Sequence, residues 1–168
     1  MSTFPLRIGT PDGLLFEGNV ERVICRTVSG DLAILARHCN YCTALGMGEA
    51  SVVMEDGSRR TAACIGGMLS VMNGKCRVLA TTWEWKEDID EQRAQEAKKR
   101  AEEMIAKGGL TDHDYKVAEA KLQRALVRLS VRAEKIRVIK RLTGNLGGET
   151  VGLFLFVIWF LGDIVGRI

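Results

Sequence analysis

Residues 58–81 read SRRTAACIGGMLSVMNGKCRVLAT, and this part of the chain decides the fold. It holds three short apolar stretches, Ser58–Cys64, Met68–Met72 and Lys75–Thr81. The Asn73-Gly74 pair suits a tight hairpin, because both central residues of such a turn adopt positive φ. The Gly66-Gly67 pair is more typical of a sheet bulge or a close backbone approach than of a phosphate site. These residues therefore predict successive β-strands.

The same pattern extends over residues 1–87, where further apolar stretches alternate with turn signals. They are Leu6–Ile8, Leu14–Phe16, Val20–Val28, Leu32–Leu35, Tyr41–Leu45 and Ala50–Met54. Asp56-Gly57 predicts a second tight hairpin. Roughly ten strands of about 3–8 residues are typical of an antiparallel β-sandwich or barrel. Because no crossover helix interrupts them, a doubly wound nucleotide-binding fold is disfavoured.

After residue 87 the chain becomes rich in Ala, Glu, Lys and Arg, which predicts helices. Ile89–Lys107 forms the first, and Gly108-Gly109 ends it. Its apolar face consists of Ala94, Ala97, Ala101 and Met104/Ile105. Thr111 can cap a second helix. The apolar stripe of that helix consists of Tyr115, Ala118, Leu122, Ala125/Leu126, Leu129, Ala133, Ile136 and Ile139. The fold class is therefore β + α, a sandwich or barrel followed by an antiparallel two-helix hairpin.

These elements predict a β-sandwich domain at 1–86, a helical hairpin at 87–141 and a further segment at 142–168. The apolar face of the first helix is mainly Ala. Since each buried carbon contributes only roughly 0.8 kcal/mol, we expect the hairpin to be held weakly and to be able to undock.

Composition and charge exclude several classes of protein. The chain has 168 residues, of which 46% are apolar, and only 2 Pro, so disorder is excluded. Residues 108–141 carry nine basic and four acidic side chains, and the net charge of +3 arises there. This is ordinarily a solvated face, although Arg124 and Arg128, one turn apart, could grip a polyanion. Because aromatic residues do not interleave with the basic ones, nucleic acid is not expected as a partner.

The sequence offers little catalytic chemistry. His38-Cys39-x-x-Cys42 could supply three ligands to zinc, but no second ligand pair follows at the usual spacing. Cys39 and Cys42 lie among strand-like apolar residues, where Cys often packs as a small hydrophobe; a redox role is the remaining alternative. We therefore expect no metal site and no catalytic residue. Five Cys at irregular spacings indicate a reducing compartment.

Six motifs occur in a fixed order along the chain. They are Thr10-Pro11-Asp12-Gly13, Phe16-Glu17-Gly18-Asn19-Val20, Gly30-Asp31-Leu32-Ala33-Ile34-Leu35 followed by His38, Gly66-Gly67, Ile89-Asp90-Glu91-Gln92-Arg93-Ala94, and Ala125-Leu126-Val127-Arg128-Leu129. In this order, over about residues 4–134, they resemble the epsilon subunit of the bacterial F-type ATP synthase. The resemblance implies a non-catalytic rotor subunit that requires no cofactor.

The resemblance also implies partners and a location. The β-sandwich would lie between the gamma subunit and the membrane-embedded c-ring, at the cytoplasmic face of the bacterial plasma membrane. The hairpin would extend along gamma into the catalytic alpha and beta subunits and inhibit ATP hydrolysis. The basic face implied in this inhibition consists of Lys121, Arg124, Arg128 and Arg132. Such a face suits acidic protein surfaces.

Some bacterial members of this family bind a regulatory ATP with the hairpin folded. The matching residues are Ile89, Asp90, Arg93, Ala94, Arg100, Arg124 and Arg128. Arginines from both helices would neutralise the phosphates, so the ligand would bridge the hairpin. Otherwise Asp90 makes only a contact with the helix dipole, and Arg93 a surface ion pair.

Asp31 and His38 match the loop positions that approach the c-ring in this family. The alternative for His38 is a hydrogen-bonded turn residue. Ala33 and Ala36 replace the Gly and Pro that the family usually has, which affects the expected turn geometry.

The resemblance does not extend to the end of the chain. Residues 142–150 are predicted to be a flexible linker, and Val151–Leu161 has no charged residue. This run is shorter than the ~20 residues that a spanning helix needs, so an interfacial helix, a partner-facing segment or an altered C-terminus is expected instead.

A second function remains open on the residues themselves. A standalone β-sandwich adaptor could bind another protein partner through the basic hairpin. Co-purification with a gamma subunit would separate it from the rotor subunit.

Overall fold

The computed structural model describes residues 2–133 of the chain. Its strands are β1 (Phe4–Thr10), β2 (Gly13–Thr27), β3 (Gly30–Leu35), β4 (Tyr41–Met54), β5 (Arg59–Met72), β6 (Lys75–Ala80) and β7 (Trp83–Trp85). A 3₁₀ turn (Lys86–Asp88) leads to the helices α1 (Glu91–Ala106) and α2 (Asp112–Arg132). The predicted fold class is confirmed. The predicted segment 142–168 and the predicted second helix beyond Ala133 lie outside the described residues.

The β-sheet closes on itself. Its strands follow the order β1-β6-β5-β4-β2-β3, β1 also pairs with β2, and β7 pairs with β5. The pairs are antiparallel except for β1 and β6, which run parallel with Leu6 opposite Cys76. Within the described part of the chain, β3 pairs with β2 alone and therefore forms an edge.

The described residues form seven long strands where the sequence predicts about ten short ones. The difference arises because glycines that resemble turn signals lie inside β2, β4 and β5. Gly48 lies directly over Arg26, since a Cβ added at Gly48 would be 2.6 Å from the Cβ of Arg26. Gly67 has φ +134°, and an added Cβ would overlap the Leu79 carbonyl oxygen. The predicted close backbone approach at Gly66-Gly67 is confirmed, and the strand continues through both residues.

The two predicted hairpins differ. Asn73 (φ 50°) and Gly74 (φ 74°) both have positive φ, as expected for a tight turn. In the other turn Gly57 (φ 82°) has positive φ and Asp56 does not, so this part of the prediction is wrong. The Asp56 Oδ1 accepts hydrogen bonds from the backbone N and the Oγ of Ser58, at 2.8 and 2.6 Å. These bonds lower the pKa of Asp56 and fix a longer turn.

The main hydrophobic core belongs to the sandwich alone. Every buried member of this cluster lies between Phe4 and Trp85, so none comes from the helices. Three thiols are part of it, those of Cys25, Cys64 and Cys76. Burial raises the pKa of Cys64 to about 11 and that of Cys76 to about 12. These thiols are therefore neutral packing groups near neutral pH.

The two helices begin at side-chain caps. Asp90 caps α1, which starts at Glu91 and not at Ile89, because Asp90 has extended backbone angles and its carboxylate accepts from the Arg93 backbone N at 3.0 Å. Thr111 caps α2 as predicted, accepting from the Asp114 backbone N at 3.2 Å. Neither described helix is long and apolar enough to cross a membrane.

Candidate functional site

The two helices meet along a seam of small residues. Ala94 and Ala101 of α1 and Ala118 and Ala125 of α2 are all buried. Two residues of the predicted stripe depart from this seam, since Tyr115 and Leu126 are 48% and 41% exposed. Leu126 follows Ala125 directly, so it is rotated about 100° around the helix and leaves the seam.

A second apolar face of α2 packs on the sandwich. Val127 and Val131 form a small buried cluster with Ala63, Ile65 and Ile89, against which Met47 also packs. The helix α2 packs on β4, β5 and the 3₁₀ turn, whereas the main contact of α1 is with α2. The hairpin is therefore held on the sandwich by the C-terminal turns of α2.

Sequence reasoning missed this second face. Its signal is a stripe at spacings of three and four residues, Val117, Ala120, Arg124, Val127 and Val131. Only its last two members are buried, because the sandwich covers only the end of the helix. The interruption by Arg124 and the presence of a stronger neighbouring stripe concealed it.

An ion pair lies beside this apolar contact. The Arg128 Nε and Nη2 donate to the two carboxylate oxygens of Glu84 on β7, at 2.8 and 2.7 Å. The two side chains are only 26% and 30% exposed. Hydrogen bonding to Glu84 raises the pKa of Arg128 further. One turn later, the Arg132 Nη1 donates to the Lys86 carbonyl oxygen at 2.8 Å.

The structure therefore divides the predicted basic face. Arg128 is half-buried and binds Glu84. Arg132 is exposed and donates to the Lys86 carbonyl oxygen, and Lys121 and Arg124 are also exposed. The latter two line an open cleft of about 210 Å³ together with His113, Lys116, Val117 and Ala120. A docked hairpin thus presents only part of this face to another protein.

The remaining residues of the predicted ATP site are dispersed among different roles. Ile89 belongs to the apolar cluster, and Ala94 to the helix seam. The Asp90 carboxylate is the cap of α1. Arg93 is exposed, and Arg100 is exposed with its Nη1 3.9 Å from Glu96. In the docked state, Arg128 binds a carboxylate where this site would need it on a phosphate.

Asp31 lies near the start of β3, and His38 lies in the loop three residues after the strand ends. The Asp31 carboxylate accepts from the Arg26 Nη1 at 3.0 Å. The His38 ring lies edge-on to Tyr41, with centroids 5.9 Å apart, and its Nδ1 is 2.9 Å from the Cys39 carbonyl oxygen. Between β3 and His38, Arg37 has φ 64°.

The packing interpretation of Cys39 and Cys42 is wrong. Both thiols are exposed, Cys39 in the loop that precedes β4 and Cys42 as the second residue of that strand. The Cys39 Sγ is 3.8 Å from the His38 Nδ1. Within residues 2–133, no three His, Cys, Asp or Glu side chains are grouped to hold a metal ion.

Known proteins resemble this chain over nearly all of its described part. The family described as ATP synthase, Delta/Epsilon chain, beta-sandwich domain matches residues 3–86. The family described as ATP synthase, Delta/Epsilon chain, long alpha-helix domain matches residues 87–132. The ATP synthase epsilon chain of Caldicellulosiruptor bescii is 38% identical over 134 residues, which cover 80% of this chain and 96% of that one.

Two further comparisons agree. The ATP synthase epsilon chain of Bacillus velezensis is 41% identical over 131 residues, covering 78% of this chain and 98% of that one. A chain in a cryo-EM structure of the Euglena gracilis mitochondrial ATP synthase (OSCP/F1/c-ring) shares the fold, with a TM-score of 0.68 and 20% identity over 77% of this chain and 81% of that one. The predicted resemblance is therefore confirmed, and the chain belongs to the ATP synthase delta/epsilon chain family.

Proposed function

We propose that this chain is the non-catalytic rotor subunit that couples the gamma subunit to the c-ring and restrains ATP hydrolysis through its helices. Its partners are then gamma, the c-ring and the catalytic alpha and beta subunits, and it lies peripherally at the cytoplasmic face of the membrane. It needs no cofactor for this role. The observation that carries the proposal is that a self-contained sandwich holds a helical hairpin by one end of one helix.

The first argument concerns the separation of the two parts. The main core is complete within residues 4–85, so the sandwich can remain folded and bound while the hairpin moves. The helices share only the small cluster around Val127 and Val131 with it. Burying two such side chains contributes roughly 1.5–3 kcal/mol each before the cost of ordering them.

The second argument concerns the surface that an undocked hairpin would offer. Release from the sandwich exposes Arg128 and frees Arg132 from the Lys86 carbonyl, so that both join Lys121 and Arg124 as unengaged cations. Four cations along one helix then face an acidic protein surface, where electrostatic complementarity orients and steers the encounter. Restraint of hydrolysis follows if this extended helix lies between moving catalytic subunits.

A regulatory ATP would act on the same equilibrium. A ligand that binds only the folded hairpin favours that state by its differential affinity. Arg128 would have to leave Glu84 to reach a phosphate, so ATP binding to this chain includes the loss of that ion pair. We expect this cost to weaken ATP binding relative to a site whose arginines are unengaged.

ATP hydrolysis by a gamma-bearing catalytic hexamer tests the proposal. The full chain is added to one sample, and a version ending at Trp85, which keeps the entire main core, to another. The full chain should bind and slow turnover, whereas the shortened one should bind without slowing it. If neither associates with gamma, the proposal is wrong and the adaptor becomes the better hypothesis.

A further inference from the structure

Glu84 lies at the point where the sandwich and the hairpin meet. It belongs to β7, between the buried Trp83 and Trp85, so its backbone is fixed by the core. Its carboxylate faces Arg128 of α2, 44 positions further along the chain, and accepts two hydrogen bonds from it. The two flat groups are matched in the fork geometry that makes such pairs strong and directional.

We propose that the Glu84–Arg128 pair, supported by Arg132 on the Lys86 carbonyl, is a polar latch that sets how often the hairpin is docked. This proposal extends the proposed function, and only its consequence for ATP hydrolysis rests on that function. In the docked state it also withholds Arg128 from every other anion. The Arg128 side chain therefore either holds the hairpin on the sandwich or binds an anion of a partner, and does not do both at once.

The apolar contact around the latch is small. It consists of two Val of α2 against Ala63, Ile65 and Ile89. The latch pair lies beside it and is about three-quarters covered on both sides. Removing one partner leaves the other partly desolvated and unpaired, which costs more than the loss of an exposed ion pair. We therefore expect the population of undocked hairpin to respond strongly to either residue.

The reporter is a thiol placed inside the contact. Val131 is fully buried between hairpin and sandwich, so Val131→Cys in the full chain reacts with an alkylating reagent only after undocking. The rate is read by mass spectrometry on the peptide that contains residue 131, which separates it from the exposed Cys39 and Cys42. In this background, Glu84→Gln should accelerate alkylation about tenfold or more, and Arg128→Gln by a similar factor.

Two controls give the experiment its specificity. Glu119→Gln removes a carboxylate from an exposed site on α2 and should leave the rate within about twofold. A second reporter, Ala125→Cys, lies in the seam between the helices and should remain slow when Glu84 is replaced. Equal acceleration at both reporters would mean that the helices unfold locally and do not undock as a unit. The latch proposal would then be wrong.

The pairing itself is tested by combining the substitutions. If the two residues act through each other, the double variant reacts no faster than either single variant. A double variant whose acceleration equals the product of the single effects overturns the proposal, as does an unchanged rate in Glu84→Gln. Association with a gamma-bearing hexamer is measured separately on the full chain. Failure there contradicts the proposed function and leaves the result for the latch standing.

Discussion

The sandwich and the helical hairpin are stabilised in different ways. The sandwich buries large side chains such as Leu6, Ile8 and Leu69 in a sheet that closes on itself. The helix seam buries four Ala, and the contact between the hairpin and the sandwich adds two Val and an ion pair. Because buried apolar area dominates stability, we expect the sandwich to be the more stable part and the hairpin the less stable one.

The difference shows how one small chain can combine attachment with movement. Stability is concentrated in the part that we propose to bind the rotor, and the elements proposed to move are drawn from the less stable part. Local free energies of opening should therefore differ between the two parts. Four substitutions or conditions test this contrast.

The largest effect is expected inside the sandwich, from Gly67→Ala. Gly67 has φ +134°, and the new Cβ would lie 2.7 Å from the Ala80 Cα as well as overlapping the Leu79 carbonyl. We expect the free energy of unfolding to fall by about 4 kcal/mol, measured by urea denaturation. Gly13→Ala is the matched control, since Gly13 has φ +135° with nothing within 4 Å, and should cost only about 1–2 kcal/mol. Equal losses would contradict the steric argument.

The next effect concerns the buried thiols and affects the sandwich alone. An unfolded Cys titrates near 9.0, whereas Cys64 and Cys76 titrate near 11 and 12 when folded. Between these values the unfolded chain binds fewer protons than the folded one. The stability that the two buried thiols contribute is therefore fully present below pH 9 and is lost as the pH rises. At about pH 10 the two thiols together should cost roughly 2–3 kcal/mol relative to about pH 8.

Denaturation midpoints at the two pH values measure this loss. The same comparison on a chain with Cys64→Ala and Cys76→Ala separates this loss from the titration of Lys, Tyr and the third buried thiol, Cys25. An equally steep decline in that variant would show that the thiols are not responsible.

A smaller effect should appear in the hairpin with Ala101→Gly. Ala101 is 1% exposed in the helix seam, and the substitution removes a buried methyl and adds backbone freedom. We expect the local free energy of unfolding of α1 to fall by about 1.5–2 kcal/mol, as measured by far-ultraviolet circular dichroism. The unfolding transition of the sandwich, measured by tryptophan fluorescence, should not change. Lys99→Gly, at an exposed position of the same helix, should cost only about 1 kcal/mol. A shift of the sandwich transition would argue against independent parts.

The smallest effect is expected at the cap of α1. Asp90→Ala removes the acceptor of the Arg93 backbone N–H and should destabilise the first turn by about 1 kcal/mol. Hydrogen exchange of the α1 amides measures it. Asp88→Ala removes the same charge two residues earlier without removing a cap, so exchange that accelerates equally there would attribute the effect to charge alone.

Much of the fold could be predicted from local pattern. The Asn73-Gly74 turn, the Thr111 cap and the Ala seam depend on neighbours in sequence, and each is where the residues place it. The predicted number of strands is too high because Gly48 and Gly67 lie where the apolar stretches are interrupted in sequence. Glycine is needed at both positions because a neighbouring strand passes too close for a side chain. That strand comes from a part of the chain that is distant in sequence.

The candidate site could be predicted only in outline. The basic character of α2 is visible in the sequence, but the burial of Arg128 is not. The burial of Arg128 depends on Glu84, and the 3₁₀ turn and the whole of α1 lie between these two residues in sequence. Cys39 and Cys42 show the converse, since an apolar neighbourhood in sequence does not ensure that the core covers a loop or the first residues of a strand.

The parallel pairing of β1 with β6 also bears on how the chain folds. It joins Leu6 to Cys76, which are 70 positions apart (76 − 6), whereas the helical hairpin forms between neighbouring segments. Closing so long a loop is entropically unfavourable, so ring closure should be slow and the hairpin fast. During synthesis, the first strand can pair with β2 early, but the sheet closes only after β6 has left the ribosome. Trp83 and Trp85, which are buried in the same core as residues of β1 and β6, should report this ring closure in stopped-flow fluorescence.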